Sequence, residues 1–473
     1  MDVVRITVIG SGPGGYAAAL EAARRGARVT LVERGEIGGT CLNRGCIPTK
    51  TWRTAAEYAE RFHRAGEFGV IVNGAAAIDL PRLLAKKDAV VDTLRKGMLY
   101  RLSDAGVRFV TGEATLLDSR TIRIRQPDGK TGEVCGDRLI LSPGSSHAGC
   151  SAFPFDGIRI LSTNDALNLT KIPATVLIGG GGVNGCEFAS ILAALGAKVT
   201  VAEALPRLLP IHAVDADTSA VVAKEMKKRG IAVFLNRVVE SAVPFEGGVR
   251  VVLAPADSTR GEPAEMVVDQ VLVAVGRRPS CEKTVLEHIG IRTDGAGWIE
   301  VNTRMETNVP GVYAVGDALG PARPMLAHTA SAEGAVAAAC ALGGGEVMDY
   351  QAVPFAAYTL PEAAGVGLTE SQALETHPDS RAHTFHFRAL GRALTAGEIA
   401  GHVKIVSDAG RRILGVHIVG PHAAELIAEG ALALRTGATV HDLATVIHAH
   451  PTFSEAVMEA ATMGMRDANP RKE

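Results

Sequence analysis

Apolar and polar positions in the first 35 residues predict a strand, a helix and a second strand. Val3 to Ile9 form a short apolar run, and a glycine-rich turn separates this run from an alanine-rich stretch long enough for a helix. A second apolar run ends at Glu33. Short apolar runs bounded by turn residues are typical of buried strands, and their alternation with helical stretches indicates a parallel sheet. The segment therefore predicts a β-α-β unit.

The same order of elements recurs 170 residues further along the chain, in TVLIGGGGVNGCEFASILAALGAKVTVAEA. The last strand of this second unit ends at Glu203. Each unit is followed by short runs of alternating polarity, Val107–Leu141 and Val233–Val275, and each of these contains a glycine turn. An internal repeat of this kind indicates a duplicated domain that carries a meander of short strands.

The rest of the chain shows helical spacing first and strand-like alternation near the end. Residues 79–105 place apolar side chains at helical spacing, and MLAHTASAEGAVAAACAL predicts an alanine-rich helix that packs tightly. From about Tyr350, strand-like runs such as HVKIVSD and RILGVHIVG precede further helices, which is typical of an α+β domain. We predict the α/β class, with two Rossmann-like domains, β-meander insertions and a C-terminal α+β domain.

Length, charge and cysteine content exclude several classes of protein. A chain of 473 residues with 47% hydrophobic residues should form about three domains with ample cores. The net charge of -2, with charges interspersed, disfavours nucleic acid or a membrane surface as a partner. No apolar run reaches the ~18 residues of a membrane span, and the N-terminus lacks the layout of a signal peptide. We expect a cytoplasmic protein, whose 7 cysteines are not a secreted disulfide framework.

Both predicted β-α-β units carry a GxGxxG pattern between the first strand and the helix. In such a pattern the first glycine allows a tight turn, the second lets the backbone approach a pyrophosphate, and the third lets helix and strand pack closely. The glycines are Gly10, Gly12 and Gly15 in the first unit and Gly180, Gly182 and Gly185 in the second. In this context the pattern predicts two dinucleotide sites.

An acidic residue follows each pattern at a distance that suits ribose binding. Glu33 and Glu203 both lie 23 positions after the first glycine of their unit, where a carboxylate can accept hydrogen bonds from ribose hydroxyls. Glu203 would repel a 2′-phosphate, which favours NAD over NADP at the second site. The nearby Arg207 is the main feature that argues against this preference for NAD.

Two cysteines lie five positions apart in GGTCLNRGCIPTK, directly before a helical pattern. Cys41 and Cys46 predict a redox-active disulfide, because a thiol near a helix N-terminus can have its pKa lowered to about 3.5–7.5. Two alternatives stay open at this point, namely unrelated cysteines and a zinc site completed by His448 and His450. CxxxxC is not a usual zinc spacing, so we expect no metal.

Two further stretches carry candidate chemistry. In HAHPTFSEAV, His450 could act as a general base whose ring Glu455 orients, although a structural histidine is the common alternative. In VYAVGDA, Asp317 follows an apolar strand and could reach cofactor hydroxyls, or could only form the turn.

Taken together, these stretches resemble the dihydrolipoamide dehydrogenase branch of the flavin-dependent pyridine-nucleotide disulfide oxidoreductases. The resemblance runs from VIGSGPGGYAAA through GGTCLNRGCIPTK, IGGGGVNGCEFA, VYAVGDA and MLAHTA to HAHPTFSEA, and so covers nearly the whole chain. It implies FAD at the first dinucleotide site, NAD at the second, and a homodimer. The implied domains are an FAD-binding domain with the redox-active disulfide in residues 1–148, an NAD-binding domain in 149–276, a central segment completing the FAD site in 277–347, and an interface (dimerisation) domain in 348–473.

The resemblance also implies a role for each site residue. Cys41 would exchange with the substrate, and Cys46 would form a charge-transfer contact with the flavin. His450, oriented by Glu455, would take the proton of the substrate dithiol and would come from the other subunit of the dimer. The remaining residues would contact the cofactors, with Lys50 beside the flavin and paired with Glu187: Gly10, Gly12, Gly15, Glu33, Lys50, Gly144, Asp317, Gly180, Gly182, Gly185, Glu187, Glu203 and Gly276.

The implied reaction oxidises dihydrolipoyl groups on carrier proteins and reduces NAD+ to NADH. The partners would be the lipoyl domains of 2-oxo acid dehydrogenase or glycine cleavage complexes. A related flavin disulfide reductase or quinone reductase that uses NAD(P)H is the alternative of the same fold, and a flavin-binding subunit without catalysis is the alternative of another class. Three positions depart from the usual pattern of the family: Pro143 near FAD, Asn184 beside the nicotinamide, and Ser280.

Overall fold

The computed structural model describes residues 3–72, 74, 77–150, 153–257 and 261–466. Helices and strands alternate along this part of the chain. The α-helices are α1 (Pro13–Arg24), α2 (Gly39–Arg44), α3 (Cys46–Arg64), α4 (Leu80–Asp104), α5 (Thr163–Ala166), α6 (Val183–Ala194), α7 (Ala216–Lys228), α8 (Lys283–His288), α9 (Ala327–Ala341), α10 (Glu370–Thr376), α11 (Gly391–Ala396), α12 (Ala423–Thr436), α13 (Val440–Thr445) and α14 (Glu455–Arg466). Short 3-10 helices are formed by Ala65–Phe68, Gly316–Leu319 and Phe387–Ala389.

The strands are β1 (Arg5–Ile9), β2 (Arg28–Glu33), β3 (Arg108–Thr111), β4 (Glu113–Leu116), β5 (Thr121–Arg125), β6 (Thr131–Cys135), β7 (Arg138–Leu141), β8 (Ser145–His147), β9 (Ile160–Leu161), β10 (Thr175–Gly179), β11 (Lys198–Glu203), β12 (Ala232–Leu235), β13 (Arg237–Phe245), β14 (Gly248–Pro255), β15 (Ala264–Val268), β16 (Gln270–Val273), β17 (Arg277–Pro279), β18 (Val312–Ala314), β19 (Phe355–Ala357), β20 (Glu362–Gly367), β21 (Arg381–His386), β22 (His402–Ser407) and β23 (Ile413–Gly420).

The first of two compact units contains the residues up to Trp52 together with Asp79–Ala148 and Gly276–Asp349. Its centre is a five-stranded parallel sheet in the order β18-β7-β1-β2-β3. Consecutive residues of β1 are buried, because both faces of a parallel sheet are covered. The strands β4, β5 and β6 form a separate antiparallel meander.

Helices α1 and α9 pack closely within this unit because glycines meet at their contact. A Cβ at Gly334 would lie 2.2 Å from the carbonyl oxygen of Gly14 in α1, and a Cβ at Gly14 would lie 3.2 Å from the carbonyl oxygen of Ala330 in α9. Side chains at these two positions would push the helices apart. The tight packing predicted for the alanine-rich helix is therefore observed.

The second unit contains Arg53–Ile78, Gly149–Val275 and the chain from Tyr350 onward. Its parallel sheet has the order β12-β11-β10-β16-β9, and β13, β14 and β15 form its antiparallel meander. A further five-stranded antiparallel sheet, β19-β20-β23-β22-β21, is followed by α12, α13 and α14.

The predicted fold class is confirmed, because both parallel sheets are Rossmann-like and each has an antiparallel insertion. The domain boundaries near residues 148, 276 and 347 stay predictions. The last predicted domain includes residues 467–473, which lie outside the described part of the chain. Among the described helices, none combines the length and the apolar character needed to cross a bilayer.

A buried lysine joins three carboxylates inside the second unit. Lys404 on β22 is 2% exposed, and its Nζ lies 3.0 Å from Asp215, 2.5 Å from Asp217 and 2.6 Å from Glu370. Burial alone would lower the pKa of the Lys404 ammonium, but hydrogen bonds to the three carboxylates outweigh burial and raise it. Burial likewise would raise the pKa of Asp215, but hydrogen bonds from the Glu370 N–H and from Lys404 lower it. The ammonium fills the position between acids that could otherwise hold a metal ion.

We expect Lys404→Met to destabilise the protein by about 3–5 kcal/mol, because it leaves a buried carboxylate without its partner. The raised pKa of Lys404 means that its contribution is complete below the ordinary lysine pKa and is lost as pH rises through the raised value. The lowered pKa of Asp215 means that its contribution is lost only as pH falls through that lowered value. The thermal midpoint of the variant should therefore fall at neutral pH, and the difference from wild type should shrink in acid.

Lys130→Met is the matched control, because Lys130 has an 80% exposed side chain and pairs with Asp128 at the surface. Its effect should stay within about 0.5 kcal/mol. Equal midpoints for Lys404→Met and the control at neutral pH would contradict a stabilising role for the buried network.

Candidate active site

The first GxGxxG loop joins β1 to α1 in a very close turn. Gly10 has φ of +94°, and a Cβ there would lie 2.1 Å from the carbonyl oxygen of Ser142. A Cβ at Gly15 would lie 1.9 Å from the carbonyl oxygen of Gly10, whereas a Cβ at Gly12 would meet nothing within 4 Å. Packing requires the two outer glycines, and the middle one faces open space that suits a pyrophosphate.

The second loop, between β10 and α6, repeats this arrangement. A Cβ at Gly180 would lie 2.5 Å from the carbonyl oxygen of Ala274, and one at Gly185 would lie 1.8 Å from the carbonyl oxygen of Gly180. At Gly182 a Cβ would again meet nothing within 4 Å. The residues of both loops therefore fit a dinucleotide.

The carboxylate of Glu33, at the end of β2, is held beside the first loop. Its Oε2 accepts hydrogen bonds from the N–H and the hydroxyl of Ser11, each at 2.8 Å, and its Oε1 accepts from the N–H of Gly35 at 2.9 Å. The Ser11 hydroxyl also accepts from the N–H of Gly38 at 3.1 Å. Ser11 was not foreseen from the sequence, where it is only one of the small residues between the glycines.

The glycine pair that precedes the cysteines packs against the same loop. Gly38 and Gly39 have φ of +96° and +60°. A Cβ at Gly39 would lie 2.7 Å from the Cα of Gly12. The two glycines of GGTC therefore let the cysteine segment contact the dinucleotide loop, a role that their sequence pattern did not predict.

Glu203 is buried at the end of β11, and its carboxylate bonds to the second GxGxxG loop and to the segment that follows β11. Its Oε2 accepts from the N–H of Gly181 at 2.6 Å, and its Oε1 accepts from the N–H of Leu205 at 2.8 Å. The guanidinium of Arg207 donates to three backbone carbonyls, those of Leu209, Ile211 and Val214. Arg207 is thus engaged in holding its own loop.

Asp317 takes part in side-chain pairing and does more than form a turn. It accepts a hydrogen bond from the hydroxyl of Ser145 at 2.5 Å, and the Nε of Arg277 lies 3.4 Å from it. The neighbouring Gly316 donates its N–H to Glu333, which is 2% exposed. The sequence does not reveal Ser145, Arg277 and Glu333 as site residues, because nothing in their local patterns sets them apart from ordinary polar residues.

Two further predicted cofactor residues, Gly144 and Gly276, follow β7 and β16. They have φ of +70° and +134°, and a Cβ on either would meet nothing within 4 Å. Pro143 precedes the first of them, and the N–H of Ser280 donates to the carbonyl of Gly144 at 3.3 Å. Asn184, the third departure from the family pattern, is exposed in the first turn of α6.

The predicted pairing of Cys41 with Cys46 is confirmed, because the structure joins them in a disulfide. Cys41 lies in α2, and Cys46 is the first residue of the 19-residue helix α3. A helix N-terminus favours negative charge, so a thiolate released at Cys46 is stabilised there. The alternative of a zinc site at Cys41 and Cys46 is wrong for this oxidised state, since the two sulfurs are bonded to each other.

Lys50 and Glu187 occupy helices that carry other site residues. Lys50 lies on α3 about one turn after Cys46 and is half-buried. Glu187 lies on α6, is 2% exposed, and accepts a hydrogen bond from the N–H of Tyr358 at 2.9 Å. The pairing of Lys50 with Glu187 stays a prediction.

His450 and Glu455 form a pair at the start of α14. The Nδ1 of His450 lies 2.8 Å from Oε1 of Glu455, whose Oε2 accepts from the N–H of Thr452. The hydrogen bonds from His450 and Thr452 lower the pKa of Glu455. An ionised Glu455 can only accept, so Nδ1 carries a proton and Nε2 holds the lone pair of the neutral ring. The His450 side chain is 77% exposed, which leaves it accessible to a reacting group.

His448 differs from His450 in the exposure of its side chain and in the contacts of its ring nitrogens. Its side chain is only 5% exposed, its Nε2 lies 2.9 Å from Glu429, and its Nδ1 lies 2.9 Å from the carbonyl of Val446. Both ring nitrogens are used by contacts within the chain. We therefore assign His448 a structural role.

Two family domains match this chain. The domain described as pyridine nucleotide-disulphide oxidoreductase matches residues 4–334, and the dimerisation domain of the same family matches residues 353–461. The chain belongs to the pyridine nucleotide-disulphide oxidoreductase family.

Several relatives in this family are similar over their whole length. The dihydrolipoyl dehydrogenase of Thermus scotoductus is 43% identical over 467 residues, which is 98% of this chain and 97% of that protein. Dihydrolipoyl dehydrogenase 3 of Haloarcula marismortui is 38% identical over 471 residues, which is 99% of this chain and 98% of that protein.

Two solved structures are also similar to this chain. LpdA from Mycobacterium tuberculosis has a TM-score of 0.89 at 29% identity and covers 99% of this chain and 100% of its own. The HOCl-induced flavoprotein disulfide reductase RclA from Escherichia coli, as a Cu(II) complex, has a TM-score of 0.84 at 27% identity, covering 98% and 99%. As a pyridine nucleotide-disulphide oxidoreductase, the protein is a flavoprotein that uses FAD and a pyridine nucleotide and has a dimerisation domain.

Proposed function

We propose that this oxidoreductase is a dihydrolipoyl dehydrogenase, which oxidises protein-bound dihydrolipoyl groups to lipoyl groups and reduces NAD+ to NADH. The observation that carries the proposal is the Cys41–Cys46 disulfide at the start of α3. Full-length relatives that are 36–43% identical and are named dihydrolipoyl dehydrogenase support it. The partners would be the lipoyl domains of 2-oxo acid dehydrogenase or glycine cleavage complexes.

The domain and cofactor assignments belong to the same proposal. Residues 1–148 would bind FAD and carry the disulfide, residues 149–276 would bind NAD, residues 277–347 would complete the FAD site, and residues 348–473 would form the interface. The open backbone at Gly12 and Gly182 supports a dinucleotide at each loop. Glu33 and Asp317 would hold hydroxyls of FAD, and Glu203 would hold a ribose of NAD.

The chain's own residues account for the thiol chemistry of this reaction. His450 takes the proton of one substrate thiol at Nε2, and the resulting thiolate attacks the sulfur of Cys41. The Cys41–Cys46 bond breaks, and Cys46 leaves as a thiolate at the N-terminus of α3. The sulfur of the second substrate thiol then displaces Cys41 from the first substrate sulfur, and its proton passes to the departing Cys41. This step closes the substrate disulfide and leaves two reduced cysteines. FAD, when bound, supplies the chemistry that converts this electron pair into hydride transfer to NAD+.

The homodimer would bring each His450 to the partner subunit's disulfide. In one chain the His450 side chain is 77% exposed and already oriented by Glu455. A base prepared in this way but left open to solvent is suited to a site that a second subunit completes. The family's dimerisation domain spans the segment that carries it.

We expect the enzyme to prefer NAD+ over NADP+ by at least about tenfold in kcat/KM, which corresponds to ~1.4 kcal/mol. A 2′-phosphate would be repelled by the carboxylate of Glu203. Arg207 could bind the 2′-phosphate only by breaking its hydrogen bonds to the backbone carbonyls of Ile211 and Val214. Glu203→Gln should narrow the preference by removing the negative charge. Steady-state kinetics with both nucleotides measure the ratio.

Glu240→Gln is the control for this test, because Glu240 is an exposed acid on β13 of the same unit. It should leave the ratio unchanged. A wild-type enzyme that uses both nucleotides equally would show that Glu203 does not select the cofactor.

A related flavin disulfide reductase or quinone reductase is the second candidate, supported by the similarity to RclA at 27% identity. The test of the proposed function is a steady-state comparison of dihydrolipoamide, glutathione disulfide and quinones with both nicotinamides. Highest kcat/KM with dihydrolipoamide and NAD+ is expected. A higher value with a quinone or another disulfide would favour the second candidate.

A further inference from the structure

A cavity of about 310 Å³ opens on the second unit, and none of the predicted site residues lines it. Its charged lining consists of Arg61, Arg64, Arg392 and Glu398, and its apolar lining includes Phe68. Pockets for small ligands begin at ~300 Å³. The cavity therefore has the size of a small-molecule site and an excess of positive charge.

Two of the three guanidiniums have no acidic partner among the residues that the structure describes. Arg61 is exposed, and its side chain makes no hydrogen bond or ion pair within the part of the chain that the structure describes. Arg392 donates to the hydroxyl of Thr395 at 3.2 Å, and no carboxylate among the described residues lies within 4 Å of it. These two side chains carry positive charge that no carboxylate of the described residues pairs with.

The third guanidinium is fixed at the edge of the cavity. Arg64 donates to the carbonyl of Gly397 at 2.9 Å and pairs with Glu67 at 3.0 Å. Glu398 is the other nearby acid, and it raises the pKa of Arg64 less than the hydrogen bond to Glu67 does. Three guanidiniums therefore face two carboxylates, one of which is already paired.

Arg392 is oriented by an aromatic cluster. Its guanidinium carbon lies 5.4 Å from the centre of the Phe453 ring, and a cation over an aromatic face is favourable. Phe453 is 7% exposed and packs against Phe387 at 6.1 Å and His422 at 5.2 Å between ring centres. The donor is thus held in position before any ligand binds, which reduces the entropy lost on binding.

A purely structural explanation accounts for only part of this arrangement. Arg61 and Arg64 lie in the last turn of α3, where the helix C-terminus favours cations. They are also neighbours on one face of the helix, so their like charges repel each other. Arg392 comes from α11, and the helix terminus does not explain why it joins them at the same cavity.

We propose that this cavity binds a small dianion, namely a phosphate monoester whose organic part is a flat apolar ring. Guanidinium groups form paired, charge-assisted hydrogen bonds with phosphate oxygens, and the two negative charges of a phosphate monoester balance two guanidiniums, whereas one carboxylate balances one. The Phe68 ring, 53% exposed at the cavity, offers an apolar surface for the organic part.

Calorimetric titration with phenyl phosphate tests the proposal on the full-length, FAD-loaded dimer. Saturating NAD+ is present so that the dinucleotide loop of the second unit is occupied. We expect saturable binding of one phenyl phosphate per subunit, weaker binding of inorganic phosphate, and no binding of phenol. Binding should weaken as ionic strength rises, because the cavity is open to solvent.

Arg61→Gln combined with Arg392→Gln should weaken the binding of phenyl phosphate by at least about tenfold, the size expected for lost charge-assisted hydrogen bonds. Arg388→Gln is the matched control, since Arg388 is an exposed arginine on the neighbouring 3-10 helix that does not line the cavity. Arg61→Gln alone keeps the test valid if the double variant misfolds, because the Arg61 side chain is exposed and makes no hydrogen bond or ion pair among the described residues. Absence of saturable binding to the wild-type dimer, or equal affinity in variant and control, would overturn the proposal.

Discussion

Cys46→Ser will abolish the reduction of NAD+ by dihydrolipoamide, while the purified variant stays yellow because FAD remains bound. Serine cannot form the disulfide with Cys41 that accepts the substrate's electrons. We expect the rate to fall by about 10³-fold or more, as is typical when a reacting nucleophile is removed. The steady-state rate with dihydrolipoamide and the flavin absorbance of the same sample measure the two parts of this prediction.

Cys135→Ser is the matched control, because Cys135 is an exposed free thiol on β6 in the same unit. It should keep both activity and flavin. If Cys46→Ser retained activity at the level of this control, the Cys41–Cys46 pair would not be the redox centre of the reaction.

His450→Gln should slow the reduction of the enzyme by dihydrolipoamide by about 10²–10⁴-fold, the usual contribution of a general base. Glutamine can still bond to Glu455 but cannot take the substrate's proton at the position of Nε2. Electron transfer from NADH to an artificial flavin acceptor needs no substrate thiolate, so it should change little. Rapid mixing with each reductant separates the two half-reactions.

His441→Gln is the control for this variant, because His441 is exposed on α13 and lies outside the proposed site. Both half-reactions should match those of the wild type. Equal losses in the two half-reactions of His450→Gln would mean that His450 supports the fold and does not act as the base.

The fold could be predicted because its main signals are local. The apolar run before Gly10 and its repeat before Gly180 set the two parallel sheets, and the glycine turns set the meanders. The cysteine pair was equally accessible, because Cys41 and Cys46 are close in sequence. Such features depend on contacts between near neighbours.

The polar contacts that support the site could not be predicted in the same way. The N–H of Gly15 bonds to the hydroxyl of Ser142, 127 positions away, and Arg277 meets Asp317 through Ser145. These pairs form only after the strands have taken their places in the sheet, and single serines and arginines carry no period that would reveal them. Lys404 was missed for a related reason, because its buried position follows from its three acidic neighbours and not from its own strand.

Gly39 contacts Gly12, and Ser11 is hydrogen-bonded to both Glu33 and Gly38. These contacts limit which sequence segments can be exchanged between enzymes of this kind. The GxGxxG loop that would bind FAD and the segment that carries Cys41 and Cys46 are joined by hydrogen bonds into one structural element. Neither can be exchanged for that of a distant homologue without the other. An engineered transplant of the reactive dithiol should therefore move Ser11, Glu33 and the Gly38–Gly39 doublet as a block.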